Sequence, residues 1–331
     1  MERVSLSVVM PVFNEVSHLP RTIEALAGAV EGSGFDTELV VVDDGSRDGS
    51  ADAARATADG RLPLRVLTQP NRGRFAARRA GLEAARGEYV LFLDARVRLS
   101  PAALAFVRER LDAHPVWNGH VHVQGDSPLA AFWRLLAELA WRDYFDRPRT
   151  TSFGVDEFDR YPKGTTCFLA PRPLLLQVFD EFRPPSADAR WVNDDTPILR
   201  DVAARRRIWI SPKFACFYAP RTTLASFFRH SIRRGAVFVD GHGTPGSRFF
   251  PAVVAFFPAS AVLVAAAARR PAVAPAALAA AGVAAAAYGV RAGRSRREVR
   301  ALALVTPVYA VAHGLGMWRG LAEIVRSRLA Q

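Results

Sequence analysis

Short apolar runs alternate with amphipathic stretches along the first hundred residues. Runs at residues 6–12, 38–43, 64–68 and 89–94 are rich in Val and Leu and predict four strands. Between them, LPRTIEALAGAV (19–30) and GSADAARATAD (49–59) have helical periodicity, and we expect Ser17 and either Ser46 or Asp48 as N-caps. Residues 39–42 are continuously apolar, as in a strand covered on both faces. Alternating strands and helices predict a doubly wound, mostly parallel α/β sheet.

The pattern changes after residue 110. Residues 110–220 are less regular, apart from PLAAFWRLLAELAWRDYF (128–145), whose helical periodicity produces a large aromatic and aliphatic face. That face suits either a buried core or a membrane surface.

Three long uncharged runs follow, at residues 249–268, 271–290 and 301–318, the last containing one His. Each is long enough to cross a hydrocarbon layer of about 30 Å, so we expect about three transmembrane helices at the C-terminus. The five arginines of residues 291–300 predict a cytoplasmic loop and a cytoplasmic N-terminal domain. The C-terminal tail, with three arginines, would then face outward, unless the first pair of helices is re-entrant or the last segment lies in the interface.

Composition adds little that is specific. The 331 residues carry a net charge of +12 and are 50% hydrophobic, yet only Lys163 and Lys213 are lysines, so a codon bias explains much of the arginine. The arginines are not interleaved with aromatics on a nucleic-acid module, which disfavours that partner. Cys167 and Cys216 form no metal-ligand pattern, and the interrupted apolar run at the N-terminus does not resemble a signal peptide.

Polar groups follow three of the predicted strands: Asn14 and Glu15 after the first, the DDGS segment (43–46) after the second, and Asp94-Ala95-Arg96 after the fourth. Each of them alone is as typical of a turn or a helix cap as of a site. Ligands of parallel sheets bind beyond the carboxyl ends of the strands, so three such groups together indicate a binding site at one sheet edge.

Four stretches in the first 200 residues resemble the family 2 glycosyltransferases in order and spacing. They are SVVMPVFNE (7–15), LVVVDDGSRDGS (39–50), NRGRFAARRAGLEAARGEYVLFLDA (71–95) and VNDDTPILR (192–200). The resemblance implies a nucleotide-binding sheet of the GT-A type and transfer of a sugar from a nucleotide-sugar donor.

The same resemblance implies a donor pocket at the strand ends. Its aspartates would accept hydrogen bonds from base and ribose, Gly73 would allow close approach of the chain, and Arg78 would place a cation near base or phosphate, whereas Arg79 is expected on a solvated helix face. The implied donor-binding residues are Pro11, Phe13, Glu15, Asp43, Asp44, Gly73, Arg78, Asp94 and Arg96.

The acidic pair Asp194-Asp195 matches the acceptor side of the family. By resemblance Asp195, with Asp194 in reserve, would take the proton of an incoming hydroxyl or accompany an incoming phosphate. Two adjacent carboxylates can raise each other's pKa, which favours a base. Either aspartate can also cap the helix predicted for TPILRDVAARRR.

The segment RHSIRRGAVFVDGHG (229–243) stands where processive members carry a Gln-x-x-Arg-Trp motif, which it lacks. This departure argues against a processive synthase. His230, Arg233 and Arg234 would contact the diphosphate or the acceptor, or else lie along an interfacial helix facing lipid headgroups.

Arg96 stands where the family's Asp-x-Asp motif has its second metal-binding aspartate. At an effective dielectric of about 20, two unit charges about 4 Å apart interact by about 4 kcal/mol, so a guanidinium beside a divalent ion would be repelled by roughly twice that. Either Arg96 turns away and Asp94 holds Mg²⁺ or Mn²⁺ with other ligands, or Arg96 neutralises the diphosphate without a metal.

Together with the apolar C-terminal runs, the resemblance implies an inverting glycosyltransferase of the cell membrane, multi-pass, with a nucleotide-sugar donor and a lipid-linked or cell-envelope glycan acceptor. The alternatives are a polyprenyl-phosphate glycosyltransferase and a non-catalytic scaffold with the same fold. The expected organisation is a cytoplasmic GT-A-like domain over residues 1–220, with nucleotide-binding (1–110) and acceptor (111–220) halves, an interfacial segment (221–248) and a membrane anchor (249–331).

Overall fold

The computed structural model describes residues 4–183 and 195–329, and these fall into two compact units. Unit 1 comprises residues 4–124, 141–183 and 195–219. Unit 2 comprises residues 125–140 and 220–329. The helical segment predicted from residue 128 is therefore divided: residues 128–140 belong to unit 2 together with the C-terminal helices, and residues 141–145 belong to unit 1.

Unit 1 is built on one mixed sheet, which has nine strands within the described part of the chain. Its order is β3-β2-β1-β4-β8-β6-β9-β5, and β7 pairs with β9. The strands are β1 (Val4–Val12), β2 (Phe35–Asp43), β3 (Leu64–Thr68), β4 (Tyr89–Leu93), β5 (Val97–Leu99), β6 (Trp117–Val123), β7 (Thr151–Phe153), β8 (Cys167–Pro171) and β9 (Ile208–Tyr218).

The first four strands are parallel, as the sequence predicts. Their central residues Val8, Val9 and Val41 are fully buried, because helices cover both faces of this half of the sheet. Beyond β4 the sheet continues through strands that run in both directions: β8 is antiparallel to β4, and β9 is parallel to β6. The predicted α/β fold, with a parallel N-terminal half of the sheet, is thus confirmed.

Helices α1 to α4 and α6 to α8 belong to unit 1, and α5 and α9 to α12 belong to unit 2. The helices are α1 (Leu19–Val30), α2 (Ser50–Ala58), α3 (Arg74–Ala84), α4 (Ala103–Arg108), α5 (Pro128–Ala140), α6 (Arg142–Phe145), α7 (Arg172–Glu181), α8 (Thr196–Arg205), α9 (Leu224–His242), α10 (Phe250–Arg269), α11 (Val273–Arg291) and α12 (Arg296–Leu329).

The N-caps of the first two helices differ from those expected. His18 and Gly49 occupy the N-cap positions, so the assignments of Ser17 and Ser46 are wrong. Asp48 still serves the start of α2, because its carboxylate accepts the N–H of Ser50 at 3.1 Å. A Pro in the first turn of α1 and the φ of 83° at Gly49 explain how these starts form without a side-chain cap.

In unit 2, α9 and α12 lie unusually close together. A Cβ added to Gly235 would stand 2.0 Å from the carbonyl oxygen of His313, and one added to Gly316 would stand 2.0 Å from that of Ile232. Small residues at such spacing let two helix backbones approach, as in many membrane proteins. Among the described residues, α10, α11 and most of α12 are long and apolar enough to cross a membrane, which agrees with the three expected spans.

Candidate active site

The carboxyl ends of β2, β1 and β4 lie side by side, because β1 pairs with both of the other strands. The polar segments that follow these strands therefore meet at one edge of the sheet. Asn14, with a φ of 54°, ends the first segment: its N–H donates to Ser46 Oγ at 2.9 Å, and its Oδ1 accepts the N–H of Arg47 at 2.9 Å. These two bonds join the loop after β1 to the loop after β2.

Asp43 and Asp44, at the end of β2, are both buried and bonded to nearby main chain. Asp43 Oδ1 accepts the N–H of Ser46 at 2.9 Å. Asp44 accepts the N–H of Arg72 at 2.9 Å and that of Gly73 at 2.8 Å. Asp44 therefore fastens the loop that leads into α3, and Gly73, with a φ of 89°, supplies the backbone conformation that this loop needs.

Pro11 and Phe13 stand at the end of β1. Pro11 is buried in the sheet, where its register partner is Val42. Phe13 lies beyond the strand and is 47% exposed, which is unusual for a large aromatic ring. An exposed ring beside a strand-end pocket can stack on a planar ligand.

Arg96 lies beside Glu15. Its Nε stands 2.8 Å from Glu15 Oε2 and 2.9 Å from Oε1, and both side chains are largely buried. The last residue of the Asp-Ala-Arg segment therefore points toward the loop that follows β1.

Arg78, on α3, lies between two carboxylates that are distant in sequence. Its side chain is 0% exposed, its Nη2 stands 2.6 Å from Asp94 Oδ1, and its Nη1 stands 3.8 Å from Asp195 Oδ1. Arg74, one helical turn earlier, adds a second cation 3.9 Å from Asp94 Oδ2. A buried guanidinium shared by two carboxylates holds both of them in place.

Asp195 occupies the N-cap position of α8, but its side chain makes no cap hydrogen bond. Its Oδ1 accepts instead the N–H of Thr165 at 3.0 Å and the hydroxyl of the same residue. Asp195 is therefore the N-cap residue by position, as one interpretation expected, while its carboxylate bonds elsewhere. Asp194, the other member of the acidic pair, lies outside the described residues.

Burial pushes the pKa of Asp195 upward, but Arg78, Arg74 and the hydrogen bonds from Thr165 outweigh it and hold the pKa below its ordinary value. We expected a raised pKa from the adjacent carboxylate, and the direction found is the opposite. The physical reason is that two guanidinium groups stabilise the charged form of the carboxylate.

Sequence reasoning missed the part played by Thr165 and Thr166. Thr166 Oγ1 stands 3.2 Å from Asp94 Oδ2, and its carbonyl oxygen accepts the N–H of Asp94 at 3.0 Å. The two threonines thus join Asp94 to Asp195 through adjacent residues. By resemblance the segment KGTTCFLAPR (163–172) stands where related enzymes have a glycine-bearing loop facing the acceptor sugar, but only the antiparallel pairing of β8 with β4 brings it beside Asp94.

Arg79, the neighbour of Arg78, is exposed and forms ion pairs with Glu83 at 2.9 Å and Asp180 at 3.0 Å. It therefore lies on a solvated helix face, as expected.

His230, Arg233 and Arg234 all lie on α9 in unit 2. The Arg234 guanidinium stands 4.9 Å from the centroid of the Trp133 ring, and the His230 ring stands 5.5 Å from the same ring. Together they form a cationic and aromatic cluster where α9 meets α5.

Comparison with known proteins agrees with this geometry. Residues 7–163 match the family model for Glycosyl transferase family 2. An undecaprenyl-phosphate 4-deoxy-4-formamido-L-arabinose transferase of Pseudomonas paraeruginosa is 40% identical over 107 residues, which cover 32% of this chain and 32% of that protein. The protein of the same name from Aeromonas hydrophila is 38% identical over 98 residues, 29% of this chain and 30% of the relative. The matched segment thus spans about a third of the length of these relatives.

Solved structures of similar fold include a mannosyltransferase from Pyrobaculum calidifontis in complex with GDP-Man and Mn²⁺. It superposes with a TM-score of 0.56 at 21% identity, over 96% of this chain and 87% of that chain. The S. aureus TarS fragment 1–349 in complex with UDP gives a TM-score of 0.52 at 17% identity, over 99% and 92% of the two chains. At these identities the likeness shows the fold alone.

The sheet order, the strand-end acids and the match over residues 7–163 lead to one assignment: these residues form a glycosyl transferase family 2 domain, and the fold is of the GT-A type.

Proposed function

We propose that this protein is a polyprenyl-phosphate glycosyltransferase, which moves a sugar from a nucleoside diphosphate sugar to the phosphate of a membrane polyprenyl lipid. The observation that carries the proposal is the likeness of about a third of the chain to transferases whose names specify undecaprenyl phosphate. The three long apolar helices of the described chain support a lipid acceptor, because they would keep the protein where such lipids are found.

The donor would bind at the strand ends of unit 1. Phe13 offers an exposed ring for the base, and the loop fastened by Asp44 presents Gly73 to the ligand. The remaining donor-binding residues, as proposed, are Pro11, Glu15, Asp43, Arg78, Asp94 and Arg96.

The state of Asp195 favours a phosphate acceptor over a hydroxyl. A hydroxyl must lose its proton to a base, and a carboxylate whose pKa is held low is a weak proton acceptor. A phosphate monoester has a second pKa of about 6, so its oxygen is already anionic near neutral pH. In the proposed step a lipid phosphate oxygen attacks the anomeric carbon, the bond from that carbon to the donor's phosphate breaks, and a nucleoside diphosphate leaves. Attack opposite the leaving group inverts the anomeric centre.

The cluster on α9 is proposed to face the acceptor. Arg233 and Arg234 place two guanidinium groups on the helix that precedes the first proposed membrane helix. One guanidinium group can donate two parallel hydrogen bonds to phosphate oxygens. Trp133, under Arg234, is typical of side chains at a membrane interface.

The loop between α11 and α12 supports a cytoplasmic site. Arg294 stands 2.6 Å from Glu138, and Glu298 stands 3.1 Å from Arg134, so the loop is tied to α5 by ion pairs that would be costly in hydrocarbon. The excess of arginine in this loop favours the cytoplasm. The chain segments that join α5 to the strands of the sheet contain no apolar run long enough to cross a membrane. We therefore propose that the family domain, over residues 1–220, is cytoplasmic, followed by an interfacial segment (221–248) and a multi-pass anchor (249–331).

The test is product analysis with the full-length protein in detergent or nanodiscs. We would supply UDP-linked and GDP-linked sugars with a short polyprenyl phosphate, and measure the lipid product by mass spectrometry. The expected product carries one sugar joined through one phosphate to the polyprenol, together with an equal amount of released nucleoside diphosphate.

Two outcomes would contradict the proposal. Transfer only to the hydroxyl of a lipid-linked or glycan acceptor would support the other enzymatic hypothesis. Absence of transfer from every donor to every acceptor, with no binding of nucleoside diphosphates, would favour a non-catalytic scaffold.

A further inference from the structure

The Asp-Ala-Arg segment raises the question of how the donor's diphosphate is neutralised. GT-A-type enzymes hold a divalent ion with carboxylates, and the solved mannosyltransferase of similar fold is described with Mn²⁺. Mg²⁺ and Mn²⁺ prefer carboxylate, carbonyl and water oxygens in a nearly octahedral arrangement. Whether this chain can hold such an ion depends on which oxygens it can offer.

Asp94 is poorly suited to that task, because both of its oxygens face donors. Oδ1 is 2.6 Å from Arg78 Nη2, and Oδ2 is 3.2 Å from the hydroxyl of Thr166 and 3.9 Å from Arg74 Nη1. An ion bound to Asp94 would therefore lie beside two guanidinium groups, one of them fully buried and unable to move into solvent.

The next candidate ligand is also paired with a cation. Both oxygens of Glu15 lie within 2.9 Å of Arg96 Nε. Within residues 4–183 and 195–329, no three His, Cys, Asp or Glu side chains are grouped so that they could hold a metal ion. The residues that the structure describes at this sheet edge do not fit a divalent cation.

The charge of the site explains what could take the place of the ion. An arginine in place of an aspartate changes the local charge by two units, which is the charge that a divalent ion would bring. Arg96 remains 17% exposed, and its nitrogen nearest to Glu15 is Nε. Arg74 adds a second guanidinium that is 39% exposed at the N-terminus of α3, where backbone N–H groups also favour an anion.

We propose that Arg96, assisted by Arg74, neutralises the donor diphosphate in place of a divalent cation, so that donor binding does not depend on metal. This proposal rests on the proposed nucleotide-sugar function. A guanidinium group suits the role because its planar N–H groups can donate to two phosphate oxygens at once. The ammonium group of a lysine acts as a point charge and lacks this geometry.

The experiment measures binding of UDP and GDP to the full-length protein in detergent by titration calorimetry, with excess EDTA and with excess MgCl₂ or MnCl₂. We expect the dissociation constant of the preferred nucleotide to agree within about twofold between these conditions. This comparison uses the wild-type protein, so it does not depend on whether any variant folds.

Variants then assign the effect to the side chain. Arg96→Ala is expected to weaken binding by about 10- to 100-fold, as for the loss of one charge-assisted contact, and Arg96→Lys by less. Arg79→Ala is the matched control, because it removes a nearby arginine that lies on a solvated helix face. The affinity of this variant for the nucleotide should equal that of the wild-type protein.

Binding that EDTA abolishes and Mn²⁺ or Mg²⁺ restores would overturn the metal-independent site while leaving the proposed function intact. Unchanged affinity in a folded Arg96→Ala variant, as judged by its unfolding temperature, would also overturn the role of Arg96. A lack of binding under all conditions would instead overturn the proposed function together with this inference.

Discussion

Arg78 is the residue on which the geometry of the candidate site depends most. Its guanidinium is 0% exposed and bridges Asp94 and Asp195, which belong to distant parts of the chain. Placing a buried cation between two carboxylates is favourable only while all three charges are present, because any one left alone in the interior is poorly solvated.

Replacing Arg78 by Leu should therefore destabilise unit 1 strongly. Removing one partner of a buried ion pair typically costs about 3–5 kcal/mol, and we expect the lower end of that range, because Asp94 keeps Arg74 at 3.9 Å and the Asp195 side chain is 37% exposed. The pKa of Asp195 should rise in the variant, because Arg78 is the main cation that lowers it. The measurement is urea unfolding of the full-length protein in detergent at neutral pH.

Arg79→Leu is the control for this prediction, since Arg79 is exposed and its ion pairs are of the kind that contribute about 0–1 kcal/mol. Equal unfolding free energies of the two variants would show that the buried pairing does not stabilise the domain.

Sequence patterns predicted that polar groups meet at one edge of the sheet, while their role in donor binding stays a prediction. Acids and glycines that follow parallel strands can be recognised locally, so Glu15, Asp43, Asp44 and Asp94 were found. Thr165 was not given weight, because its position beside Asp195 depends on the pairing of strands that are far apart in sequence. The direction of the Asp195 pKa was missed for a similar reason: the guanidinium groups that determine it come from α3.

At the scale of elements, the parallel half of the sheet follows the sequence closely. β3 spans Leu64–Thr68 and α1 spans Leu19–Val30, both as predicted from periodicity. The strands β6 to β9 were not predicted individually, because short strands buried among Pro, Gly and Trp have no clear alternation. Their order in the sheet depends on long-range pairing, which no local pattern encodes.

The contact between α9 and α12 leads to a prediction about glycine. Gly316→Ala should destabilise unit 2, because the added Cβ would stand 2.0 Å from the carbonyl oxygen of Ile232. Helix propensity alone favours alanine over glycine by about 1 kcal/mol. Overpacking typically costs about 1–3 kcal/mol, and here the obstacle is backbone that cannot rotate away, so we expect a net loss.

The measurement is the midpoint of thermal unfolding in detergent, followed by tryptophan fluorescence. Gly246→Ala is the control, since a Cβ at that position would meet no heavy atom within 4 Å. If Gly316→Ala unfolds at the same temperature as the control or higher, α9 and α12 are not in close contact in the protein.

At the scale of the whole molecule, the arrangement of helices in the membrane can be tested by labelling. In the proposed topology Pro271, between α10 and α11, lies outside the cell, and Arg296, at the start of α12, lies in the cytoplasm. A membrane-impermeant maleimide should therefore label Pro271→Cys in intact cells and Arg296→Cys only after permeabilisation. Both native cysteines, Cys167 and Cys216, are buried, so the wild-type protein provides a low background.

Labelling of Arg296→Cys in intact cells would reverse the orientation and with it the proposed cytoplasmic site. Labelling of Pro271→Cys only after permeabilisation would instead show that the first two helices form a re-entrant pair.

The aromatic face of α5 has a practical consequence for anyone who wishes to produce the family domain without the apolar C-terminal helices. The Trp133 ring lies 5.4 Å from that of Phe227, and the Phe132 ring lies 5.1 Å from that of Tyr309. A truncated protein that stops before α9 would leave both of these large rings in water, which invites aggregation during expression. A soluble fragment would therefore require polar replacements on α5 as well as removal of the tail.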